Sequence, residues 1–341
     1  MKRKNILKVE TIIALIIVVL CVAIWLANQD AWTMNTVFNM LRSAIVPGIF
    51  AMGVLMVLIS CGMDVSFTYI AVVAAYTSVV VLNGLGYEGS ILVPFLLAAV
   101  IGTLLGMVNG FLIAKFDFPA MIVTLGTGTA FQGMAICFVG TEHITDLPGQ
   151  MVELSRTNLL SVDFADGSKG GINICILITT AVLILGCFLL QKTMWGRGLY
   201  AIGGSKVAAE RIGYNVKRIL FSLYALVGGL AGIAGIIFMS LNRQANPHLM
   251  VGTELDTIAA VVLGGASVSG GKGTVWGSIL GIGLITILNN SLILVGIPSQ
   301  WQKALIGAVI LIGTALPVLL AAINRRRGSR VAAKQEKGRC S

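Results

Sequence analysis

The sequence predicts an all-α, polytopic membrane protein of about ten transmembrane helices with both termini in the cytoplasm. Three observations carry this. The chain is 57% hydrophobic and 11% charged, with a mean hydropathy of +0.93, a balance that ordinary soluble domains do not have. It holds about ten apolar runs close to the roughly 20 residues that one span needs. Its charges also divide by side. With the ends, the central loop and the even-numbered turns inside, 19 of 24 Lys/Arg and 5 of 14 Asp/Glu are cytoplasmic. The outside then holds 5 basic and 9 acidic residues, the asymmetry expected of positive-inside topology.

The first apolar run, residues 12–27, follows Lys2, Arg3, Lys4 and Lys8. It resembles a secretion signal, but no small-residue cleavage site follows it cleanly and further spans do, so it reads as a retained span. Trp25 and Trp32 suit an outer interface. Residues 41–60 are the second span. Cys61-Gly62-Met63-Asp64-Val65-Ser66 is then a polar break before the third, residues 67–82, and residues 84–90 are a tight turn. Asp64 in that break either frames a polar path or caps the next helix, because a charge among apolar residues needs a partner.

The fourth span, residues 91–114, carries Gly102, Gly106 and Gly110. Their four-residue spacing puts them on one helix face, where another backbone can come close. After the turn 115–118, the fifth span starts on Pro119 as a first-turn residue and runs to 139. It carries Thr124, Thr127, Thr129 and Gln132. Such polar groups face protein or a watered path, or the threonines bond their own helix carbonyls. Residues 140–171 are the longest outer segment, with Glu142, Asp146, Glu153, Asp163 and Asp166.

The sixth span is residues 172–190 and the seventh 219–240, the latter with Gly228, Gly232 and Gly235. Residues 242–253 form an outer loop. Residues 255–268 are too short and interrupted for an easy full span, and they run into a glycine-rich stretch that ends at Thr274. The ninth span, 275–295, has Gly277 and Gly281 four apart, and the tenth is 303–323. Residues 1–323 therefore read as one transmembrane domain, followed by a basic cytoplasmic tail, 324–341, whose Arg325–Arg327 suit a lipid surface.

Residues 191–218 form the one long basic segment between membrane-length runs. Lys192, Arg197, Lys206, Arg211, Lys217 and Arg218 face a single acid, Glu210. Its centre, residues 205–211, reads as a short helix opened by a Ser205 cap and carrying Ala208 and Ala209. Gly203 and Gly204 break the chain before it, and Gly213 after it. A small cytoplasmic helix on glycine hinges suits docking to a soluble partner; a solvated basic linker is the bland alternative.

Enzyme motifs are absent. The glycine-rich stretch departs from the phosphate-binding pattern at Ala266 and Gly273, where Gly and Ser or Thr would be needed. Spans four, five, seven, nine and ten hold no deep ionisable group, which disfavours an ion-coupled secondary transporter. Energy must then come from a partner. The six cysteines show no disulfide framework or metal spacing, and His143 and His248 stand alone, so no metal site and no cofactor are expected. The +10 net charge is explained by membrane topology, not by nucleic acid.

Four blocks together carry a family resemblance. Gly62-Met63-Asp64-Val65-Ser66 resembles a G-[IM]-D-[LI]-S break. Val108-Asn109-Gly110, with Pro119-Ala120 and Val123-Thr124-Leu125-Gly126-Thr127, resembles an NG…P…TLGT block. Gly196-Arg197-Gly198…Gly203…Ala208-Ala209-Glu210-Arg211-Ile212-Gly213 resembles a coupling loop, and Gly264-Gly265-Ala266-Ser267…Gly270-Gly271-Lys272-Gly273-Thr274 a GGxSxxGGxG stretch. In this order, across residues 40–323, they resemble the permease subunit of bacterial ATP-binding-cassette importers of the ribose, xylose and autoinducer-2 type. Phe67-Thr68-Tyr69 replaces the family's V-G-S, and Tyr214 its usual Ile.

The resemblance implies a multi-pass protein of the bacterial cytoplasmic (inner) membrane that imports a small polar solute, a monosaccharide or sugar-like compound. Permeases of the branched-chain amino-acid type are the nearest alternative. It further implies a second permease chain, identical or a sister, separate ATPase subunits and an extracytoplasmic solute-binding protein. Asp64, Ser66, Asn109, Thr124 and Thr127 are then the expected path residues. Gly203, Gly204, Ala208, Ala209, Glu210, Arg211 and Gly213 are the expected coupling residues.

Overall fold

The computed structural model describes residues 9–163, 169–294, 296, 298, 300–308 and 311. Lys2, Arg3, Lys4, Lys8 and Asp166, most of the expected tenth span and the basic tail 324–341 lie outside the described residues. The described chain is a helical bundle. Its elements are α1 (Val9–Ala27), α2 (Met34–Ile59), α3 (Phe67–Gly84), α4 (Leu92–Phe116), α5 (Ala120–Phe138) and α6 (Gly149–Arg156). A hairpin of β1 (Asn158–Asp163) and β2 (Lys169–Asn173) follows, then α7 (Cys175–Lys192), α8 (Met194–Gly204), α9 (Lys206–Arg211), α10 (Val216–Asn242), α11 (Glu254–Leu263) and α12 (Val275–Leu294).

Seven of the described helices, α2, α3, α4, α5, α7, α10 and α12, are long and apolar enough to cross a membrane. The chain is thus a polytopic, all-α membrane protein. Helix α1 has a shorter apolar stretch, Glu10–Leu26.

Burial sorts the helices. Every α2 residue from Val46 to Ile59 except Pro47 is buried, so α2 is the core of the bundle. A helix apolar all round belongs there. Helices α4, α5 and α7 instead leave Leu104, Ile122 and Leu185 exposed on their outer faces, as a lipid-facing ring does. Caps fit the sequence: the Thr33 side chain accepts from Thr36 N to start α2, and Asn215 accepts from Arg218 N to start α10.

The closest helix pair is α4 with α10. Gly102, Gly106 and Gly110 lie against the α10 backbone at Gly228, Tyr224 and Phe221, and α10 returns Gly228 and Gly232 to α4. A Cβ at any of these would meet main-chain atoms, so only glycine fits. Gly277 and Gly281 of α12 likewise lie against Gly264 and Ala260 at the end of α11.

Three expectations need correction. The sixth span does not begin at residue 172: residues 172 and 173 belong to β2 of the antiparallel β1–β2 hairpin, which with α6 lies in the segment before it, and α7 begins at Cys175. Asn173 pins that hairpin, donating to the carbonyls of Leu154, Ser155 and Thr157 and accepting from Cys175 N. Pro119 is the cap before α5, with ψ 122°, and not its first-turn residue. Gly203 and Gly204 are not a break; they are the last turn of α8.

Candidate functional site

The break between α2 and α3 is the first candidate centre. Residues 63–66 leave α2 and fold inward: Asp64 is 4% exposed and Ser66 fully buried. Asp64 Oδ1 accepts from both Ser66 N and Ser66 Oγ, each at 2.7 Å, an Asx turn that sets the entry to α3. Burial pushes the Asp64 carboxyl up from its ordinary range, and the two Ser66 bonds pull it back.

Asn109 of α4 and Thr124 of α5, both fully buried, close on this turn. Asn109 Nδ2 donates to Ser66 Oγ at 2.8 Å, and Val65 N donates to Thr124 Oγ1 at 3.2 Å. Thr124 Oγ1 also reaches the Met63 carbonyl at 3.4 Å. Four of the five expected path residues therefore form one network that ties α3, α4 and α5 together. Thr127 stands apart: its hydroxyl donates to Val123 O of its own helix at 2.8 Å.

The second candidate centre is the segment between α7 and α10. It is two helices, not one. Thr193 caps α8 by accepting from Gly196 N, and Ser205 caps α9 by accepting from Ala208 N. Gly203 is a close-packing residue: a Cβ there would strike Ile59 O and Gly271 N. Gly271 N donates to Ile59 O at 2.9 Å, and Tyr200 Oη to Gly273 O at 2.8 Å. The glycine-rich stretch after α11, the end of α2 and α8 thus meet at one point. Lys206 Nζ pairs with Asp117 in the turn between α4 and α5. Gly213 sits at φ 95°, where side chains are strained.

Within α9, Ala209 is buried, whereas Val207, Ala208, Glu210 and Arg211, and Ile212 just after it, are exposed. An outward face of three apolar residues, an acid and a base is thus presented by an element anchored on its other side.

Sequence reasoning missed Glu254. It is 7% exposed, accepting from Thr68 Oγ1 at 3.1 Å and from Gly252 N at 2.8 Å. No local pattern marks it, because its partner lies 186 positions away. No group of His, Cys, Asp and Glu able to hold a metal occurs among the described residues.

Residues 36–314 match the family described as branched-chain amino acid transport system, permease component. The chain belongs to this permease family. The permease is also 34% identical over 303 residues to the ribose import permease protein of Haemophilus influenzae, covering 89% of this chain and 90% of that one. The ribose import permease protein of Bacillus subtilis is 34% identical over 309 residues, covering 91% and 92%. The autoinducer 2 import system permease protein of Salmonella typhi is 32% identical over 298 residues, covering 87% and 82%. No solved structure matches significantly.

The permease is accordingly a transport subunit of an ATP-binding-cassette importer in the bacterial cytoplasmic membrane, and not an enzyme. ATP hydrolysis belongs to a separate ATPase component, and solute capture to a substrate-binding component.

Proposed function

We propose that the permease conducts a monosaccharide or sugar-like compound into the cell. The observation that supports this is its near full-length likeness to ribose import permeases, at 34% identity over 89–91% of the chain. The family's description favours a second reading, import of a branched-chain amino acid. ATP-driven uptake by the complete importer separates them: labelled D-ribose should enter, and labelled leucine should not. The opposite result would establish the second reading.

The domain is a ten-span unit with both ends cytoplasmic, paired with a second permease chain. In this orientation α8, α9 and the glycine-rich stretch lie on the ATP side. Asp64, Ser66, Asn109 and Thr124 frame the path by holding three helices in register, and Thr127 stands at the edge of that frame. Helix α9 docks on the ATPase through its exposed face, with Gly213 letting the chain turn back into α10. Because α8 touches Ile59 and Gly271, a push on α9 reaches the end of α2 and the glycine-rich stretch through α8. ATP binding and hydrolysis then bias two packings of the bundle, one open outward and one inward.

A further inference from the structure

A cavity of about 400 Å³ lies between α2, α10, α11 and α12. It is distinct from the Asp64 network, and none of its residues belongs to a motif noted in the sequence. Its wall mixes charge and neutral polarity: Arg42, Asn242, Asp256, Thr257, Asn289 and Asn290 all line it. These residues come from four different helices. Phe50 and Phe238 add apolar surface.

We propose that this cavity is a solute site on the import route, and that its ligand is a neutral, polyhydroxylated ring of monosaccharide size. The proposal rests on the sugar-import reading and adds the place and the chemistry of recognition.

Three physical arguments support it. The first is backbone geometry. Helix α11 has 10 residues, about 15 Å of rise, against a hydrocarbon core of about 30 Å. In the ten-span reading the rest of that crossing falls to the glycine-rich residues after it and to the end of the irregular stretch 243–253 before it. Non-helical backbone at membrane depth is tolerated only inside protein or beside a watered cavity. Met250 and Thr253 of that stretch line this cavity.

Charge balance points the same way. Among the described lining residues the charges are one guanidinium, Arg42, and one carboxylate, Asp256, and they cancel. Arg42 Nη2 is already engaged with the Leu241 carbonyl at 2.8 Å. Asp256 and Asn289 make no side-chain hydrogen bond among the described residues. Amides, hydroxyls and a carboxylate suit a ligand whose hydroxyls both donate and accept. Phe50 and Phe238 offer apolar surface for the C–H groups of a sugar ring.

The third is size and strength. About 400 Å³ is at the small end for ligand pockets. A wall in which amides and hydroxyls outnumber its one carboxylate holds a ligand weakly enough for release, as conduction requires.

The test uses the whole importer, with its ATPase and binding protein, and labelled D-ribose. Thr257→Val and Asn289→Leu each remove one polar contact at similar volume. Each should cut uptake about ten-fold at low ribose while the complex is recovered in normal amount. Asn289→Gln, which keeps the amide, should restore most of the rate. Ribose uptake within about two-fold of the unaltered importer in both variants would overturn the site. If the unaltered importer carries leucine and no ribose, the sugar reading fails first and the proposed ligand class falls with it.

Discussion

Asn109 on α4 and Ser66 at the start of α3 meet at 2.8 Å, both fully buried, although 43 positions separate them. Ser66 also gives both its N–H and its hydroxyl to Asp64. The carboxylate thus organises a turn that a neighbouring helix then reads. This makes the network unequal. Asp64→Ala strands two buried donors, a cost of about 2–4 kcal/mol. Asn109→Leu removes one bond together with an amide oxygen that lacks a partner among the described residues, a cost nearer 1 kcal/mol. Melting of the detergent-solubilised permease should therefore fall further for Asp64→Ala. Equal melting, or normal uptake at normal membrane level in Asp64→Ala, would show that the turn frames nothing.

The glycine faces give a sharper contrast. Gly106 lies against the Tyr224 and Gly228 backbone, so a methyl group has nowhere to go. Gly133 on α5 has nothing within 4 Å of an added Cβ. Gly106→Ala should lower membrane yield and melting temperature by opening the α4–α10 seam. Gly133→Ala should be neutral or stabilising by up to about 1 kcal/mol, the helix-propensity gain. Similar behaviour of the two variants would remove the seam from the account of stability.

The seam was legible because a four-residue glycine spacing has one geometric meaning on a helix. The spans were legible from hydropathy, and the Ser205 cap from residue type. Gly203 was not, since a glycine that breaks a helix and one that lets two backbones touch look alike in sequence. Only the fold brings Ile59 and Gly271 to it. Helix α8 was hidden for a related reason: Gly196, Gly198, Gly203 and Gly204 depress its propensity, and packing against Leu190, Ile219 and Tyr214 overrides that. The hairpin 158–173 gave no alternation, because Leu159 and Leu160 are adjacent and both exposed. Glu254 and the Arg42–Asp256 cavity depend on contacts between distant segments, which no local pattern records.

Thr124 and Thr127 share spacing but not surroundings. Thr124 is fully buried and bonded to the break, whereas Thr127 is partly exposed and back-bonded to Val123. In a permease whose native cysteines are replaced by serine, Thr127→Cys should react with a small polar thiol reagent during turnover. Thr124→Cys should stay protected. Equal labelling of the two would mean that the break opens as the importer cycles, and that its network is transient.

Helix α9 carries the ATPase contact in the proposed mechanism. It is anchored on one side by buried Ala209 and by the Lys206–Asp117 pair, and it shows Val207, Glu210, Arg211 and Ile212 on the other. Anchoring lets a force on the exposed face reach the bundle instead of bending the loop. Gly213→Val puts a β-branched residue at φ 95° and should displace the α9–α10 turn. Glu210→Lys reverses the one acid of the exposed face without touching the anchor, so the fold should survive. Both variants should reach the membrane in normal amount, recover less ATPase on co-purification and lose ATP-driven uptake. Glu210→Lys is the cleaner case, because its melting temperature should stay unchanged while ATPase recovery falls. Unchanged recovery and unchanged uptake in both variants would reduce α9 to a packed surface helix, and the ATPase contact would have to lie elsewhere on the cytoplasmic face.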